Sequence, residues 1–375
     1  MWVKITVNID TIVLRFVKIP LHRPFSNRWE RFEEWTKLIV EVQSEGRSGY
    51  GECTAMETPY YNYETIETCW LVIQRYLAPI LLDRTIDCPN QVADFFSHIR
   101  GHYEARAALE CACWDLYGRI QGVPLYQLIG GEFRPVKSGA TIGVHQSKEE
   151  LIGELQQALE AGYHRFKIKI KPGWDVEPLE TIRSVFPDIA LLADANGAYS
   201  PSDISYLASF DRFNLMCLEQ PFPPRTLYET AKLQAQMTTP IALDEAVVSL
   251  EDIRQIIELK VARIVNLKIG RVGGISEALR IHDACKEAGI PIFIGAKYEM
   301  GIGRWTNIAL ATLDNVTYPS DVSASNRYFR QEIVNDAVEL VAPGMVQPLE
   351  QPGFGSTICW ENLNQYMTQE AVIRR

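Results

Sequence analysis

Five charged residues fall at or near the ends of apolar, β-rich runs: Lys169, Asp194, Glu219, Asp244 and Lys268. The gaps between them are 25, 25, 25 and 24 residues. Three carboxylates crowded together repel unless a cation neutralises them. Hard oxygen donors suit Mg²⁺, with Mn²⁺ as a substitute. A cation gripping a substrate carboxylate would stabilise the enediolate formed when the adjacent carbon loses its proton. An amine on each side could remove that proton or return it. Other cations nearby should lower the amine's pKa, as a general base requires.

The spacing also says what must hold these groups. One strand, one helix and two loops take about 25 residues, so each step is one βα unit. From about residue 138, β-rich runs such as Phe166-Lys167-Ile168-Lys169-Ile170, Ala190-Leu191-Leu192-Ala193-Asp194 and Ile264-Val265-Asn266-Leu267-Lys268 alternate with amphipathic stretches, among them 148–161, 201–210 and 275–289. Seven clear runs and a weak eighth, Val316-Thr317-Tyr318, predict a parallel sheet with helical crossovers, and eight units close a barrel. Active sites form at the C-terminal strand ends of such barrels. Lys169 and Lys268 would lie opposite one another, on strands two and six, with the acids on strands three to five between them. Ile168 and Ile170 alternate with Lys167 and Lys169, so both lysines should point inward. A lone acid at a strand end is usually a helix cap or a loop charge; five charges at equal spacing are not explained that way.

Residues 1 to about 60 read as strands and 63 to about 130 as helices, an α+β unit. The last 45 residues lose the alternation and should pack back on that unit. The expected partition is a capping domain over 1–135, completed by 330–375, and a barrel over 136–329. Gly301-Ile302-Gly303 is a short glycine turn, too little for a dinucleotide fingerprint. His145 follows the first barrel strand and reads as a satisfied loop histidine.

The length, 375 residues, fits two domains. A net charge of −10 without a basic block argues against nucleic acid and against an anionic membrane surface. Eight scattered cysteines contain no CxxC pair, so they read as buried, reduced thiols. The apolar N-terminus, 1–21, is interrupted by Lys4, Asp10, Arg15 and Lys18, which excludes a signal peptide or a span of about 20 apolar residues and makes the cytoplasm the expected location.

Lys167-Ile168-Lys169, Asp194-Ala195-Asn196-Gly197, Glu219-Gln220-Pro221, Leu243-Asp244-Glu245 and Asn266-Leu267-Lys268 together resemble the enolase superfamily, muconate-lactonizing-enzyme subgroup, over nearly the whole chain. The run from Lys169 to Pro178, Gly270-Arg271-Val272-Gly273-Gly274, Ser323-Ala324-Ser325 and Gly49-Tyr50-Gly51-Glu52-Cys53 are similar to the o-succinylbenzoate synthase and N-acylamino acid racemase family. The resemblance implies an enolase-type modified (β/α)8 barrel with an α+β capping domain. It implies that Asp194, Glu219 and Asp244 bind Mg²⁺, that Lys169 is the general acid/base, and that Lys268 is the opposite acid/base in racemisation and a cation near the substrate in dehydration. Arg271 would tune the catalytic lysine. Lys167, Asn196, Glu245, Thr141, Lys297 and Glu299 would line or support the substrate pocket. Phe25, Tyr60 and the 56–61 stretch would come from cap loops over the barrel mouth.

The departures from that family lie at the pocket. Ala296, Lys297 and Met300 stand where the family usually has Gly, Met and Thr, so Lys297 adds a cation at the substrate end. The loop expected over 22–35 is richer in Arg and Trp, and Thr141 stands where Ser is frequent. The implied reaction is dehydration to o-succinylbenzoate for menaquinone synthesis, racemisation of an N-succinyl or other N-acyl amino acid, or both. Dipeptide epimerisation, which would want an acidic pair near Asp321, muconate-type cycloisomerisation and a non-catalytic binder are the alternatives. The expected partners are a small carboxylate substrate and further copies of the chain.

Overall fold

The computed structural model describes residues 5–26, 30–145 and 147–375. Strands β1 (Thr11–Ser26) and β2 (Arg31–Ser44) pair antiparallel, and β3 (Arg47–Cys53) extends the sheet beyond β2. The C-terminal strand β11 (Met367–Arg374) pairs with the free side of β1. Ile12, Leu14, Leu38, Val40 and Val42 of this sheet pack on helices α1 (Ile66–Val72) and α2 (Tyr103–Gln121). Gly51 lets α2 approach β3, because a Cβ there would lie 2.0 Å from the Ala108 carbonyl oxygen.

Residues 22–26 and 31–35 are not loop but the outer ends of β1 and β2, with Phe25 opposite Phe32 and Ser26 opposite Arg31. Arg28 and Trp29 of the expected loop, like Lys4 of the N-terminal run, lie outside the described residues.

Seven parallel strands follow in chain order: β4 (Ala140–Ile142), β5 (Arg165–Lys169), β6 (Ala190–Asp194), β7 (Cys217–Glu219), β8 (Ile241–Leu243), β9 (Ile264–Leu267) and β10 (Ile292–Ile294). The eighth position is not a strand. Single bridges, Ile292 with Val316 and Ser138 with Ser320, close the ring there. Pro319 lacks the N–H that a ladder at this point needs. The crossovers include α3 (Lys148–Glu160), α4 (Val176–Val185), α5 (Leu227–Gln236), α6 (Leu250–Glu258), α7 (Ile275–Glu287) and α8 (Gly301–Ala311). The helix expected over 201–210 is broken into short turns around Ile204–Ala208.

The two-residue pleat sorts each strand. Leu191, Leu218, Leu243, Val265 and Ile294 face the surrounding helices as part of the main core. Leu192, Cys217, Ala242, Ile264 and Phe293 form a separate apolar layer inside the ring. The next inward position along these strands is Asp194, Glu219, Asp244, Asn266 or Gly295. A plug of apolar side chains thus carries a polar layer at its C-terminal end.

Two cap carboxylates meet barrel helices at their starts, where backbone N–H groups have no helical partner. Glu110 of α2 accepts from the Ile275 and Ser276 N–H groups of α7, at 2.5 and 3.1 Å. Glu52 of β3 accepts from the Met300 and Gly303 N–H groups at α8, at 2.8 and 2.9 Å. Gly274 (φ +130°) makes room for the first contact, since a Cβ there would sit 1.8 Å from Glu110 Oε2. Gly301-Ile302-Gly303, expected as a short turn, opens α8. None of the eight cysteines forms a disulfide, and six are buried. No helix among the described residues is long and apolar enough to cross a membrane.

Candidate active site

Lys169, Asp194 and Glu219 share one register across three adjacent strands: Lys169 pairs with Asp194 and Asp194 with Glu219. Lys169 Nζ donates to Asp194 Oδ2 at 2.6 Å and to Asn196 Oδ1 at 2.8 Å. Lys268 Nζ, just past β9, donates to Asp244 Oδ2 at 2.9 Å and to the Tyr61 hydroxyl at 2.7 Å. Both lysines line one cleft of about 730 Å³ from strand exits four places apart in the ring.

Lys167 lies one pleat below Lys169. Its ammonium bridges Glu219 Oε2 at 2.8 Å and Asp321 Oδ2 at 2.6 Å, and Arg165 takes the other Asp321 oxygen at 2.6 Å. Burial opposes the charge on Lys167, but Asp321 and Glu219 outweigh it and raise its pKa. Lys167→Met would leave Glu219 with an uncompensated charge in a dry interior. We expect it to cost about 3–5 kcal/mol of stability, measured by urea unfolding; a loss under about 1 kcal/mol would mean that this pair does not hold the ring together.

Around the acids, Asn266 Nδ2 donates to Glu219 Oε1 at 2.7 Å, and Arg271 Nη2 lies 2.5 Å from Asp244 Oδ1. Arg271 therefore contacts the carboxylate that holds Lys268. Glu245 stays out of the cleft and accepts from Asn196 Nδ2 at 2.8 Å. Asn196 (φ +42°), Gln220 (φ +38°) and Tyr298 (φ +58°) are non-glycine residues in the left-handed region at this rim. Such conformations are costly, and Gln220 is held in place by accepting the Asp244 and Ala246 N–H groups through Oε1.

Each of the three acids faces a lysine or arginine, and among the described residues no three acidic, His or Cys side chains converge to hold a metal as placed. The donor set nonetheless fits a hard divalent cation. Glu219 Oε2 and Asp244 Oδ1 are buried and accept no well-directed hydrogen bond, although Lys167 and Arg271 lie within ion-pair distance. Burial and the charges of Asp194 and Asp244 push the Glu219 carboxyl up to about 7. Burial, Asp244 and Asp194 push Glu245 up to about 8. Burial works the same way on Asp244, but Arg271 and Lys268 pull it well below the usual carboxylate range. At Lys268 burial lowers the pKa, but Asp244 outweighs burial and raises it.

The outer wall differs more from expectation. Thr141, Asn196, Lys297, Glu299 and Phe25 do line the cleft. Tyr60 does not; it is 59% exposed, and its neighbour Tyr61 turns inward. Lys297 is no free cation. Its ammonium pairs with Glu104 of α2, its carbonyl accepts from Lys37 at 2.8 Å, and burial brings its pKa down to about 8. Phe25 packs against Tyr298 at a 51° tilt with ring centres 4.5 Å apart, and Tyr328 lies edge-on to Tyr298. Arg304, Asn307, Tyr298 and Tyr328 line the cleft without having been singled out from the sequence. His145 is occupied by Glu154, 2.7 Å away.

Residues 9–130 match the mandelate racemase / muconate lactonizing enzyme N-terminal domain, and residues 150–362 match the enolase C-terminal domain-like family. The chain belongs to the enolase superfamily. This enolase-superfamily enzyme is 40% identical to an o-succinylbenzoate synthase from Geobacillus stearothermophilus, with 98% of each chain covered. It is 37% identical to an N-succinylamino acid racemase from Thermus thermophilus, over 92% of this chain and 94% of that one. A superfamily member from Listeria innocua has a solved structure that superposes with a TM-score of 0.94 at 36% identity, covering 98% of this chain and 99% of the other. Enzymes of this superfamily are generally dependent on a divalent metal.

Proposed function

We propose that the enzyme dehydrates its substrate to o-succinylbenzoate, racemises N-succinylamino acids, or does both. The observation that carries this is the pair of lysines on opposite sides of one cleft, with Asp194 lining it and Glu219 and Asp244 beside it. Relatives carrying both activity names over nearly the full chain support it.

Asp194, Glu219 and Asp244 would hold a divalent cation, Mg²⁺ with Mn²⁺ able to substitute, which supplies positive charge to the substrate carboxylate as its α-carbon loses a proton. In dehydration Lys169 takes that proton and returns it to the departing hydroxyl, so water leaves and the proton count closes on one residue. Lys268 then contributes only its charge. In racemisation one lysine removes the α-proton and the other delivers a proton to the opposite face. Phe25, Tyr298 and Tyr328 give the cleft an aromatic wall on the substrate side.

Dipeptide epimerisation recedes, because the acid it would use, Asp321, has both oxygens bound by Arg165 and Lys167. Muconate-type cycloisomerisation shares the core and is separated only by its substrates. We place the activity in the cytoplasm, in a homo-oligomer, with a cap of 1–135 plus 330–375 and a barrel of 136–329. The test is to supply the Mg²⁺-loaded enzyme with the o-succinylbenzoate precursor and with N-succinylamino acids in deuterated water. Product formation or α-proton exchange supports the reading, and failure of both rejects it.

A further inference from the structure

Tyr61 ties the cap to one lysine of the pair and not to the other. It sits in the segment between β3 and α1, which is closed at its base where the Met56 carbonyl accepts the Ile66 N–H at 2.9 Å. The Tyr61 hydroxyl accepts from Lys268 Nζ at 2.7 Å and from Arg271 Nη1 at 3.3 Å, and donates to Asp244 Oδ2 at 3.1 Å. A lysine ammonium has three N–H directions. Tyr61 and Asp244 take two at Lys268, so the third is the one free to exchange a proton with a substrate in the cleft. Lys169 is anchored in the same way by Asp194 and Asn196, both of them barrel residues.

We propose that Tyr61 is a positioning residue for Lys268, so that proton transfer on the Lys268 face depends on a cap residue while transfer on the Lys169 face does not. The inference rests on the lysine-pair reading above. Without the hydroxyl, Lys268 keeps Asp244 but loses the second contact that fixes its direction, and misdirected proton transfer is slow. Tyr61→Phe removes that contact while keeping the ring in place.

The experiment follows deuterium incorporation at the α-carbon by NMR, separately for each enantiomer of N-succinylphenylalanine, in wild type and in Tyr61→Phe. Lys268→Ala identifies the enantiomer whose exchange needs Lys268. In Tyr61→Phe, exchange of that enantiomer should fall about tenfold, while exchange of the other enantiomer changes by no more than about twofold. A general loosening of the site would slow both faces together. Equal loss at both faces, or no loss at either, would overturn this inference alone. A wild-type enzyme that exchanges neither enantiomer and dehydrates nothing would overturn the proposed function as well.

Discussion

Lys169→Ala should lower kcat for dehydration and for racemisation by about 10²- to 10⁴-fold, the range expected when a positioned general base is removed. The fold should survive. Lys169 Nζ is anchored only at the mouth of the cleft, and Asp194 keeps the Asn196 N–H at 2.9 Å on its other oxygen. Its thermal unfolding curve should therefore overlay that of wild type within a few degrees. Exchange of one enantiomer through Lys268 should persist even though net racemisation stops, because that face retains its own amine. Turnover within tenfold of wild type in a folded Lys169→Ala protein would remove Lys169 from the chemistry.

Metal removal is the second large effect. Exhaustive chelation should reduce both activities by about 10³-fold or more, corresponding to about 4 kcal/mol of lost transition-state stabilisation. Stability supplies an independent readout. A ligand present at about 100 times its Kd stabilises by about 2.7 kcal/mol. Adding Mg²⁺ to the stripped protein should accordingly raise its melting temperature. Glu219→Gln and Asp244→Asn should abolish that rise, since each removes one of the buried oxygens left without a well-directed hydrogen bond. Full activity after chelation, or a Mg²⁺-induced rise that persists in both variants, would count against the carboxylates as the metal site.

What could be read from the sequence was whatever the pleat or the βα repeat dictates. Asp194, Glu219 and Asp244 occupy consecutive strands facing inward because a two-residue period, carried through β6, β7 and β8, leaves them no other direction. Lys169 and Lys268 follow from the same count. Where no period operates, the reading slipped. Tyr60 and Tyr61 lie in a segment without regular structure, so nothing in the chain says which of two adjacent tyrosines turns inward. The outer end of β1 was hidden by Pro20 and Pro24, which break the alternation of an otherwise long strand. Lys297 looked like a substrate-facing cation because its partner, Glu104, is 193 positions away and belongs to a different layer of the protein. The occupation of Asp321 by Arg165 and Lys167 was out of reach for the same reason.

The contacts of Glu52 and Glu110 with the starts of α8 and α7 bear on how this protein can be cut. The two family matches, 9–130 and 150–362, invite excision of the longer segment as a free-standing barrel. Such a fragment would carry two helix starts stripped of the Glu110 and Glu52 acceptors, with Gly274 left as a notch shaped for a side chain that is gone. It would also lose Tyr61, and with it one anchor of Lys268. Genetic shuffling that exchanges caps among relatives would thus have to carry both glutamates along, or move them together with the helices they complete.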